Sequence, residues 1–186
     1  MIYQLYIELQ ESNPLVWRRI VVTAAYSFYQ LHMAIQGAFG WENCHLFQFS
    51  ENGFKDKICV GIPGDMDTDV VTIDAKKTKM AKVLSKENQA YSYIYDFGDS
   101  WHHRVILEKK LNEEYDRPHC IEGSGACPPE DVGGLGGYRE MMKVFSGPRH
   151  KEKASYVEWL GLVPGEKWDP VFCSVREINK RFALLG

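Results

Sequence analysis

The residues best suited to chemistry gather in two short segments. The first is Asp96-Phe97-Gly98-Asp99-Ser100-Trp101-His102-His103, where two carboxylates and two imidazoles surround a tight turn. An imidazole beside carboxylates can act as a general base, or as a metal ligand oriented by a second layer of acceptors. The second is Cys127-Pro128-Pro129-Glu130-Asp131, whose thiol and carboxylates are possible metal ligands. The same residues also have plain structural uses. Asp, Gly and Ser form turns through side-chain bonds to their own backbone and through tolerance of positive φ, and Asp131 is placed to cap a helix.

These segments need elements to hold them. Residues 91–97 and 101–111 read as a hairpin closed at Gly98-Asp99-Ser100. Strand parity puts Trp101, His103, Val105 and Leu107 on one face, and His102, Arg104, Ile106 and Glu108 on the other. The first set is nearly all apolar, so His103 rather than His102 is expected at the buried edge. Residues 112–137, rich in Gly, Pro and Cys, read as one long loop that carries Cys127 either against this hairpin or away from it. The hairpin and loop together nominate His103, Cys127, Glu130, Asp131, Asp96 and Asp99 as a polar site.

Several named chemistries are excluded. Asp96-Phe97-Gly98 copies the metal-binding triplet of protein kinases, but their glycine-rich loop and His-Arg-Asp loop are missing. Cys120 and Cys127 have six residues between them, where zinc pairs usually have about two to four. A nucleophilic cysteine needs an electropositive setting; Glu130 and Asp131 give Cys127 the opposite, and only pairing with His103 would restore that reading. Gly133-Gly134-Leu135-Gly136-Gly137 precedes a helix but lacks the Lys-Ser/Thr of a phosphate loop. It reads as a tight-packing connection.

The rest of the chain reads as α+β. Residues 2–10 alternate as a strand, Asn13-Pro14 breaks it, and Leu15 to Val22 pairs back. Ser27 caps a helix with Phe28, Leu31, Ile35, Ala38 and Phe39 at helical spacing, stopped at Gly40. His32 on that helix reads as a satisfied histidine at the core edge. Leu46 to Ser50 and Lys57 to Ile62 are short strands around an Asn52-Gly53 turn, and 63–69 is a loop. Lys76 to Ser85 reads as a surface helix. Tyr138 to Phe145, Ala154 to Leu160 and Ser174 to Leu185 are helices. The expected architecture is a single domain, 1–186. Its mixed or antiparallel sheet, built from hairpins, fills the first two thirds, with helices on one face and a helical C-terminal third.

Composition narrows the function. Of 186 residues, 45% are apolar and 13% aromatic, enough for a core without disulfide or metal staples. The net charge is −3, where a dedicated nucleic-acid binder usually carries a basic excess. The dense basic stretch, Lys76, Lys77, Lys79, Lys82 and Lys86, leaves a weaker DNA-associated reading open and is more simply a solvated face. Five widely spaced cysteines and an N-terminus patterned as a strand predict reduced thiols in the cytoplasm and no membrane partner.

Seven stretches together resemble one known family: Pro14-Leu-Val-Trp-Arg-Arg-Ile20, Leu31-His-Met-Ala-Ile-Gln36, Phe39-Gly-Trp41, His45-Leu-Phe-Gln-Phe49, Tyr95 to His103, Ala126 to Gly134, and Gly137-Tyr138. The chain resembles the plasmid Ri-type ORF-three-like family from about residue 2 to about residue 183. The resemblance implies an α+β fold and little about activity. Some members are labelled as transposon resolvase-related, a link to mobile elements that the residues here do not themselves support. The family pattern matches the site positions His45, Asp96, Asp99, Trp101, His103, Cys127, Glu130 and Asp131. Two functions follow as expectations. One is a non-catalytic cytoplasmic binding or accessory module. The other is a metal-dependent or acid–base hydrolase built on His45, His103, Cys127 and the carboxylates, which requires His103 to meet the Cys127–Asp131 loop. Which cofactor or partner the chain takes is left open by its residues.

Overall fold

A computed structural model describes residues 1–64, 69–147, 150–163 and 165–184. Its frame is an eight-stranded sheet: β1 (Ile2–Leu9), β2 (Val16–Thr23), β3 (Phe47–Ser50), β4 (Ile58–Gly61), β5 (Val71–Asp74), β6 (Ala90–Tyr95), β7 (Trp101–Leu111) and β8 (His119–Ser124). The spatial order is β5-β4-β3-β6-β7-β1-β2-β8. Every pairing is antiparallel except β4 with β5. The helices are α1 (Phe28–Phe39), α2 (Gly134–Ser146), α3 (Lys153–Trp159) and α4 (Val175–Phe182).

The alternation in β1 becomes burial: Leu5, Ile7 and Leu9 are sealed, between β7 on one side and β2 on the other. Helix α1 begins as its residues dictate. Ser27 Oγ accepts from the Gln30 backbone N–H while the Gln30 side chain accepts from the Ser27 N–H, and Gly40 closes the helix at φ 88°. The apolar stripe Phe28, Leu31, Ile35, Ala38 and Phe39 is buried. In β7 the parity holds, with Trp101, His103, Val105 and Leu107 all inside.

Four sequence expectations change. The stretch 112–137 is not one loop, because β8 runs inside it and pairs with β2. Only Cys120 of β8 is sealed from solvent, so no apolar alternation announces the strand. Strand β5 lies in residues 70–75, where the sequence pattern predicts no element. Lys76 to Ser85 forms only a one-turn 3₁₀ helix, Met80–Lys82, anchored by the buried Met80. The glycines Gly134, Gly136 and Gly137 lie within α2, which starts four residues before Tyr138. Leu185, at the end of the last expected helix, and residues 65–68 of the 63–69 loop lie outside the described residues.

Close approach explains one of these glycines. A Cβ on Gly137 would stand 1.7 Å from the Val132 carbonyl oxygen, so the backbone has no room for it. Gly137→Ala is expected to cost about 1–3 kcal/mol through the backbone shift it forces. Urea denaturation would measure this, and an unchanged midpoint would disprove the contact.

Candidate metal centre

The turn after β6 and the loop after β8 converge on His45. Its Nε2 lies 3.2 Å from Asp131 Oδ1, 3.7 Å from Asp96 Oδ2 and 3.8 Å from Glu130 Oε2. His45 Nε2 and Glu130 Oε2 are both buried atoms with no hydrogen-bond partner. No lysine or arginine pairs with these three carboxylates among the described residues.

Local structure aims each group. Ser100 N–H donates to the Asp96 carbonyl at 2.6 Å, closing the β6–β7 turn, and the Gly98 N–H donates to Asp96 Oδ1 at 2.9 Å. Asp96 Oδ2 is left facing His45. Glu130 Oε1 accepts from both the Glu42 N–H and the Tyr95 hydroxyl, each at 2.9 Å, and again the second oxygen is left for His45. Burial, followed by the bond to Glu130, holds the Tyr95 phenol far above its ordinary pKa, so it stays a donor. Asp96 (φ 53°) and Asp131 (φ 55°) occupy left-handed backbone, which is sparsely populated outside glycine and is held by the surrounding structure.

The Asp131 distance matches the spacing of ligands on a bound cation, and those to Asp96 and Glu130 are a few tenths of an ångström longer. With metal–ligand bonds of about 2.1 Å, neighbouring ligand atoms stand about 3.0 Å apart in an octahedron and about 3.4 Å apart in a tetrahedron. His45, Asp96 and Asp131 offer ligand atoms all within 4.8 Å of one another, and Cys44, His45 and Glu130 form a second such group. One imidazole with several carboxylates suits zinc, manganese or ferrous iron. The side chain of Asp131 is 73% exposed, so the centre opens to solvent on that side.

The other expected site residues do different work. His103 is sealed in the core, edge-on to Phe39 and Trp41, with Nδ1 2.9 Å from the Trp101 carbonyl oxygen. Burial lowers its pKa to about 3. It belongs to neither group of ligand atoms. Cys127 belongs to neither as well. Its thiol lies 3.3 Å from the Pro128 carbonyl oxygen, and burial pushes its pKa up. The loop docks instead on Trp41, whose indole N–H donates to the Pro128 carbonyl at 2.9 Å. Asp99 Oδ2 accepts from the Gly133 N–H at 3.0 Å and so ties the turn to the start of α2, the role expected of Asp131. Trp101 is a core side chain, its indole stacked near Trp41. Lys76 lies over the Tyr29 ring, and Lys77 pairs with Asp74.

Sequence reasoning missed Cys44 and the orienting role of Tyr95. The Cys44-His45 pair was a visible signal. Tyr95 was harder to find, because a strand tyrosine beside an apolar run looks like core.

An eight-stranded, mostly antiparallel sheet with four helices and a His/carboxylate cluster between two turns is thus the class of protein. Residues 1–177 match the family described as plasmid pRiA4b ORF-3-like protein, and the chain belongs to that family. It is 32% identical over 181 residues to the uncharacterized protein y4hQ of Sinorhizobium fredii, covering 96% of this chain and 89% of that protein. It is 34% identical to the protein of unknown function MM3350 from Methanosarcina mazei Go1. That crystal structure superposes with a TM-score of 0.74 over 95% of this chain and 96% of the other. No helix among the described residues is long and apolar enough to cross a membrane.

Proposed function

We propose that the protein is a binding module organised around a divalent metal at His45, with two overlapping ligand sets, His45–Asp96–Asp131 and Cys44–His45–Glu130. The observation that carries this is the pairing of two buried, unpartnered atoms, His45 Nε2 and Glu130 Oε2, across 3.8 Å in a cluster that no lysine or arginine joins among the described residues. Buried carboxylates left without a cation repel one another, and a metal removes that cost. The bonds that fix Asp96 Oδ1 and Glu130 Oε1 are the outer layer such a site needs. Residues 1–186 are taken as one domain, since α4 packs back on α1 and β8. Free cysteines fit a reducing, cytoplasmic setting. The family's plasmid-derived description motivates a link to mobile elements.

Metal analysis of protein purified without added metal tests the proposal. About one zinc, manganese or iron per chain is expected, falling at least tenfold in His45→Ala and in Glu130→Gln, because losing a ligand at a site of this kind costs at least that much affinity. Equal metal content in wild type and His45→Ala would remove the site. The exposed Asp131 side favours a second reading, hydrolysis by a metal-activated water. That reading expects ester or phosphoester cleavage that follows metal content, and loaded protein inert toward both substrate types would end it.

A further inference from the structure

A second site lies at the carbonyl end of α1. We propose that a cavity of about 660 Å³ between β2, α4, Leu162 and residues 166–174 binds an oxyanion, carboxylate or phosphate, carried on an apolar body. Two guanidinium groups, Arg18 and Arg181, line it together. Neither has a carboxylate partner among the described residues, and Arg18 is only 3% exposed.

Their bonds show which donors are spent. Arg18 Nε donates to the Ala38 carbonyl, Nη1 to those of Trp17 and Ser124, and Nη2 to that of Gly125. Arg181 Nε donates to the Gly37 carbonyl at 2.8 Å. Both side chains thus cap the carbonyl end of α1, which accounts for their shared direction. An arginine has five N–H donors. One on Arg18 and four on Arg181 are left without a protein acceptor among the described residues. Burial, with the Arg18 charge acting the same way, depresses the Arg181 pKa. Two like charges facing one cavity repel unless an anion joins them, and their forked donors match the geometry of carboxylate or phosphate oxygens.

The cavity's acids do not fill that place. Glu177 pairs with Lys180 at 2.8 Å, Asp169 Oδ1 accepts from the Val171 N–H, and Glu166 Oε2 accepts from the Val163 N–H. Lys167 and Ser174 add polar groups to the lining, and Phe39, Leu162, Trp168 and Phe172 form its apolar part. Phe172 is 64% exposed, a large apolar surface at the cavity without a covering partner. A charged floor beside an aromatic wall selects an anionic head with an apolar body over a free ion.

Calorimetric titration with phenyl phosphate, benzoate and inorganic phosphate tests the site. Phenyl phosphate or benzoate is expected to bind at least about tenfold tighter than inorganic phosphate, and the preferred head tells phosphate from carboxylate. Arg181→Gln is expected to weaken the preferred aryl probe about tenfold or more, the loss of charge-assisted hydrogen bonds. Phe172→Ala removes only exposed surface and leaves the core intact. It is expected to weaken the aryl probe several-fold with inorganic phosphate unchanged, so it carries the test if Arg181→Gln does not fold. Absence of binding by both aryl probes at millimolar concentration, or unchanged affinity in Arg181→Gln, would overturn the site. Inorganic phosphate binding as tightly as phenyl phosphate would overturn the apolar part.

Discussion

Acidification from pH 7 to pH 4 is expected to remove about 6 kcal/mol of stability through two histidines alone. In the unfolded chain a histidine takes up its proton near pH 6.5. In the fold, burial lowers that value to about 3 for His103 and to about 4 for His32. Between those values and 6.5 the unfolded state holds the extra proton. Stability is therefore complete above about pH 7, falls as the pH drops through 6.5, and keeps falling until the folded value is reached. At pH 4 each residue accounts for roughly 3 kcal/mol, a large part of the 5–15 kcal/mol by which domains are ordinarily stable. The contacts explain the size of the effect. His32 is stacked on Phe47 at 3.7 Å, with its nitrogens 2.8 Å from the Tyr93 hydroxyl and 2.7 Å from Asn43 Oδ1. His103 Nε2 faces aromatic rings and has no partner to share a second proton. Urea denaturation at pH 7, 5 and 4 checks this, and His103→Leu or His32→Gln should each remove about half of the fall. A stability constant from pH 7 to pH 4.5 would show that neither imidazole is held neutral.

Parity in β7 told the inside from the outside correctly, and it sent His103 to the core. What parity could not supply was the return of the loop after β8, because register is carried by backbone pairing and β8 hides its alternation behind His119, Glu122 and Gly123. The carboxylates of both polar segments were legible as a group, and three of them do meet. Their partner is His45, more than fifty positions before Asp96, placed by the β3–β6 pairing of Phe47 with Tyr95. Asp99 and Asp131 look alike as turn residues, and only the fold separates the one that holds α2 from the one that faces the imidazole.

The two candidate sites share a cause. Around His45, carboxylates gather without a lysine or arginine partner; at the carbonyl end of α1, guanidinium groups gather without a paired carboxylate among the described residues. In most folds such charges would pair with each other. Here Trp41 lies against Phe39 on one side and Tyr95 on the other, an aromatic layer between the Arg18–Phe39 contact and the Glu130–Tyr95 bond. Separation by a low-dielectric layer makes each cluster more eager for a ligand of the opposite sign than either would be in water.

Arg18→Met is expected to destabilise the fold by about 3–5 kcal/mol, because four buried carbonyls lose their charged donors at once. Parity within β2 already marks the residue, since Val16, Arg18, Ile20 and Val22 share the inward face. A charge at a core position is tolerable only if its donors are satisfied. Arg18 satisfies four of them with carbonyls of Trp17, Ala38, Ser124 and Gly125, joining β2, the end of α1 and the end of β8 in one contact. Methionine keeps the stem's volume and orphans all of those acceptors at once. Arg18→Lys keeps the charge but has at most three donors on one atom, too few to reach carbonyls fanned around a planar fork, and should recover less than half of the loss. The urea midpoints of the two variants decide between a structural and a purely ligand-binding arginine. A methionine variant within about 1 kcal/mol of wild type would mean the four carbonyls find water, and the residue's burial would then serve the anion cavity alone.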